Sequence, residues 1–63
     1  MYLAIKINLD NDAFQIDGPG EIARLLHKLA NKLYYLPALP PDLDEPMIDK
    51  NGCLVGRAKV GED

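Results

Sequence analysis

The chain has 63 residues, and its seven Lys and Arg against ten Asp and Glu leave a net charge of −3, which argues against bulk, sequence-independent binding of nucleic acid. A chain this short buries only about 60% of the surface its unfolded form exposes, and its single cysteine, Cys53, excludes an internal disulfide. Stability must therefore come from a regular core or from a partner subunit.

Residues 2–9 alternate, with Leu3, Ile5, Ile7 and Leu9 on one side and Tyr2, Ala4, Lys6 and Asn8 on the other. This predicts a strand whose Leu3 side is buried. Asp10-Asn11-Asp12 supplies turn chemistry, and Phe14 with Ile16 is expected to tuck under the sheet edge or the helix start. Asp17-Gly18-Pro19-Gly20 then announces a helix: Asp17 or Gly18 can cap it, Pro19 suits its first turn, and Glu21 favours the positive end of its dipole. Ile22, Leu25, Leu26, Leu29, Ala30, Leu33 and Leu36 recur at three-and-four spacing, which predicts an amphipathic helix over about residues 19–35.

Pro37 closes that helix, and the segment 37–46, with four prolines and the acids Asp42, Asp44 and Glu45, reads as a stiff connection. Asp49-Lys50-Asn51-Gly52 suits a hairpin loop in which Gly52 is left-handed and Asp49 pairs with Cys53, placing Ile48 opposite Leu54. On that register Leu54, Gly56, Ala58 and Val60 face the core, while Cys53, Val55, Arg57 and Lys59 face outward. The expected fold is a single α+β domain of order β-α-β-β. It has a largely antiparallel three-stranded sheet in spatial order first, third, second, with one amphipathic helix packed on one face.

Candidate binding residues fall into three groups. Arg24, Lys28 and Lys32 form a basic ridge opposite the apolar stripe, fit either to be solvated beside the acidic loop or to meet phosphate or an acidic partner. Tyr34 and Tyr35 head an aromatic and proline-rich stretch of the kind enriched at interface anchors, with one tyrosine expected to face the core. Asp42, Asp44 and Glu45 could meet basic residues on a target, in the extreme by mimicking phosphate charge. His27 lacks a neighbouring nucleophile or orienting carboxylate and reads as a helix-surface residue. Asp10-Asn11-Asp12 and the hairpin loop both fail the calcium-loop spacing, and one histidine with one cysteine cannot make a four-ligand zinc site. No cofactor, no catalytic residue and no enzymatic activity are expected.

No apolar run is long enough to cross a bilayer, and residues 1–9 alternate where a signal peptide would be continuous, so no membrane contact is expected. One unpaired cysteine fits a reducing compartment, so the expected location is cytoplasmic.

The chain also resembles a group of very small proteins encoded by phages, prophages and integrated elements of bacteria. The resemblance rests on the lysine-bearing strand running into Asp10-Asn11-Asp12-Ala13-Phe14, on Glu21-Ile22-Ala23-Arg24-Leu25-Leu26 with Leu29-Ala30, and on Asp49-Lys50-Asn51-Gly52-Cys53-Leu54-Val55-Gly56. The proline-rich segment and Cys53 depart from that pattern. What the resemblance implies is an accessory role in a bacterial host cell: binding and inhibition of a host defence complex that itself handles nucleic acid, in the manner of anti-CRISPR proteins. The alternative from the residues is a homodimer or larger self-assembly through the first strand, which only Lys6 guards.

Overall fold

The computed structural model describes residues 1–62. Strand β1 spans Tyr2–Ile7, helix α1 Asp12–Tyr34, strand β2 Asp44–Ile48 and strand β3 Leu54–Gly61. They form one antiparallel sheet of order β1-β3-β2, so the longest strand is central and the β-α-β-β reading holds.

The helix is longer than its apolar stripe predicts. It begins at Asp12, breaks at Asp17, whose φ of −150° and ψ of 78° are not helical, and resumes. Asp17 Oδ1 accepts the Gly20 N–H at 3.1 Å, which makes Asp17 the cap of the second segment and leaves Pro19 in a first turn where its missing N–H costs nothing. The short leading segment is held by burial, because Ala13 and Phe14 both enter the core. Ile16 does not join them and is 78% exposed, since it points away on the other side of that turn.

Leu25 and Leu29 are the buried centre of the helix stripe, and they close on Met47, Val55 and Ala58 with Phe14 and Ala13. Each such leucine contributes about 1.5–3 kcal/mol by leaving water. Ile7, Ile22 and Leu33 pack at the margin of this core. Leu26, Ala30 and Leu36, expected to be buried, are exposed, as are Leu3, Ile5 and Leu9. The reason is lateral: α1 lies against β2, so β1 extends beyond its cover.

The hairpin forms as its turn residues predict. Asp49 N–H donates to Cys53 O at 2.9 Å, Ile48 faces Leu54, and Gly52 takes a φ of +88°. One step further the register slips: Met47 pairs with Gly56 while Ile48 pairs with Leu54, leaving Val55 as an extra residue in β3. This bulge turns Val55 inward to 6% exposure and leaves Leu54 outward at 54%, reversing the expected facing of both, whereas Ala58 and Val60 are buried as expected. Gly56 sits beside the bulge because a β-carbon there would collide with Lys6 O and approach Ile7 Cα to 3.0 Å. The proline-rich connection is shorter than 37–46, since Asp44, Glu45 and Pro46 already belong to β2, and Val60 N–H fastens its end by donating to Leu43 O at 3.0 Å.

Candidate interaction surface

The basic ridge does not stand free. Arg24 donates from Nε to Glu21 Oε1 at 2.7 Å and from Nη2 to Glu21 Oε2 at 2.8 Å, and the same Nη2 reaches Ile48 O at 3.3 Å. Glu21 is buried and accepts the Lys50 N–H at 2.8 Å as well, so one carboxylate ties the second segment of α1, just past the break at Asp17, to the hairpin loop. The Arg24 guanidinium holds the Glu21 carboxyl down to about 2 from its ordinary 4.5, against a smaller opposing effect of burial.

A second buried carboxylate finishes the loop. Asp49 Oδ1 accepts the N–H groups of Asn51 and Cys53, both at 2.9 Å, and Asp49 Oδ2 accepts from Asn11 Nδ2 at 3.1 Å. Those bonds, the Cys53 N–H foremost, lower its pKa. Asn11 stands at the helix start, so Asp49 joins the loop between β1 and α1 to the hairpin. The sequence signal for this pair of anchors is faint: Asp49 reads as an ordinary turn residue, and Glu21 as a dipole partner.

The acidic segment is also mostly spoken for. Lys32 Nζ meets Glu45 Oε1 at 2.6 Å, Arg57 Nη1 meets Asp44 Oδ1 at 2.9 Å, and Lys59 stands 4.0 Å from the same Asp44 carboxylate. Of the charged candidates, Lys28 and Asp42 are exposed and stand outside these pairs. Cross-loop pairing of this kind is what the solvated reading of the ridge anticipates.

The aromatic pair behaves differently. Tyr34 and Tyr35 are 79% and 81% exposed, with ring centroids 5.1 Å apart in an edge-to-face arrangement. Neither faces the core, which corrects the expectation that one would. They end α1 side by side, and Leu36 and Leu39 just beyond them are exposed too. The result is an exposed apolar stretch at the end of the helix remote from the Glu21 and Asp49 anchors.

An open hollow of about 420 Å³ lies on the sheet face away from the helix, lined by Ala4, Lys6, Leu54 and Arg57 among others, and the more enclosed space is small. The cleft between α1 and β2, walled by Leu25, Leu29 and Met47, holds about 50 Å³. Among the described residues no group of His, Cys, Asp and Glu is arranged to hold a metal ion, and no helix is long and apolar enough to cross a membrane. Comparison with protein-family models, with curated proteins and with solved structures gives no match for this chain.

Proposed function

We propose that this protein is a non-enzymatic binding protein that acts by occupying the surface of a protein partner, with Tyr34 and Tyr35 as its anchor. The observation that carries this is the exposure of two adjacent tyrosines flanked by Leu36 and Leu39, in a molecule whose charged candidates are mostly paired internally. Tyrosines bury large amphipathic area on binding and are enriched among the residues that dominate interface energy. Lys28 and Asp42, exposed and outside the ion pairs, are the candidate charges left to steer approach. With Asp44 and Glu45 engaged, the mode is steric, and phosphate mimicry has little charge left to work with.

The resemblance to small phage and mobile-element proteins supports a bacterial defence complex of the CRISPR type as the target. Expression of the chain in cells whose defence blocks a phage should restore plaque formation, and Tyr34→Ala with Tyr35→Ala should abolish the effect while leaving the circular-dichroism spectrum unchanged. Plaque formation that stays blocked by every defence type tried would overturn the target. Full activity in the double variant would overturn the anchor.

A further inference from the structure

The two edges of the sheet differ in what their backbones offer. Asn8 N–H donates to Val55 O at 2.7 Å, next to the Ile7–Gly56 pair, and antiparallel pairing alternates, so Tyr2, Ala4 and Lys6 also turn their N–H and C=O groups toward β3. Leu3, Ile5 and Ile7 turn theirs outward. On the opposite side Val60 N–H donates to Leu43 O, so by the same alternation Glu45 and Met47 face β3 while Asp44, Pro46 and Ile48 face out. That outer edge is closed: Pro46 has no N–H to give, Arg24 already donates to Ile48 O, and the bulge lies at Met47 and Ile48. β1 has no proline and no bulge, and Leu3 and Ile5 are 45% and 43% exposed on the helix-bearing face.

We propose that a second copy of this chain pairs antiparallel with β1, making a two-fold dimer whose sheet runs continuously through both molecules. A register centred on Ile5 satisfies the edge. With Ile5 on the axis, Leu3 faces the partner's Ile7 and Ile7 the partner's Leu3, so all three outward-turned residues both donate and accept. Their side chains then share one apolar strip, and on the other face Lys6 lies opposite the partner's Ala4. Centring the pair on Lys6 would instead oppose two lysines, and the partner's outer β2 edge is shut to β1 by Pro46. A single strand edge buries less than a standard interface, so this dimer is concentration-dependent.

Sedimentation from low micromolar to millimolar protein, with amide exchange at both ends of the series, tests the pairing. The expected result is a doubling of mass, with the Leu3, Ile5 and Ile7 amides protected only at high concentration and those of Ala4, Lys6 and Asn8 protected throughout. Ile5→Pro removes one outward donor and no bond to β3, and Ile5→Lys sets two charges together on the axis; either should restore the monomer with native circular dichroism. Monomer mass at millimolar concentration, or a dimer whose Leu3, Ile5 and Ile7 amides still exchange freely, would overturn the proposal, and wild-type exchange decides it even if a variant misfolds. The pairing uses neither Tyr34 nor Tyr35, so the anchor and the dimer fail separately.

Discussion

Strands β1 and β2 flank the same central strand, yet one is built into the molecule and the other is laid against it. β2 lies under α1, carries Met47 into the core, and has its outer backbone blocked by Pro46 and Arg24. β1 is exposed along nearly its whole length and keeps a free outer ladder. In a small domain the helix can cover only part of a three-stranded sheet. Where it lies decides which apolar residues become core and which become surface.

Truncations should expose the difference most strongly. Leu29→Ala, on the covered side, should cost about 2–5 kcal/mol, whereas Ile5→Ala on β1 should cost about 1 kcal/mol or less, both read from urea denaturation at low protein concentration. Equal losses would mean that β1 belongs to the core after all. Gly56→Ala comes next, at about 1–3 kcal/mol, because the added carbon meets the backbone of β1 at Lys6 and Ile7. Amide exchange should then show β1 released before β2.

The third effect is on acid stability and rests on the two buried carboxylates that hold the hairpin loop. The Glu21 carboxyl titrates lower in the folded chain than its ordinary 4.5, so its contribution is complete above that pH and disappears as pH falls toward about 2; Asp49 acts with the same sign. Melting temperature should fall through that window, and Glu21→Gln should flatten the slope. An unchanged slope would remove the Glu21–Arg24 pair from the stability of the hairpin. The smallest effect is expected from Pro46→Val, which returns an outward N–H to β2: monomer stability should scarcely move, while association at high concentration should increase.

Much of this arrangement is legible in the residues. Turn chemistry at Asp49 to Gly52 gives the hairpin turn, alternation gives β1, and the apolar stripe gives α1 from about residue 19 onward. What escapes is whatever depends on a neighbour distant in sequence. Alternation says that Leu3 and Ile5 share a face, but not that the helix lies to one side of them. A single inserted residue exchanges Val55 with Leu54, because strand facing has period two. The candidate surface divides the same way: Tyr34 and Tyr35 are recognisable as a pair and Glu21 to Arg24 is a local helix contact, whereas the ties of Glu21 to the Lys50 N–H, Lys32 to Glu45 and Arg57 to Asp44 exist only once the chain has closed on itself.

The central position of β3 carries a consequence for the order of assembly. β2 meets it through a tight hairpin, but Tyr2 must find Gly61, so pairing β1 closes a loop of almost the whole chain. The helix and hairpin can therefore assemble first and hold one side of β3 vacant until β1 arrives. That vacancy is equally suited to the β1 of a neighbouring molecule. Strand exchange between chains, competing with intramolecular docking as concentration rises during refolding, is the kinetic signature such a topology should leave.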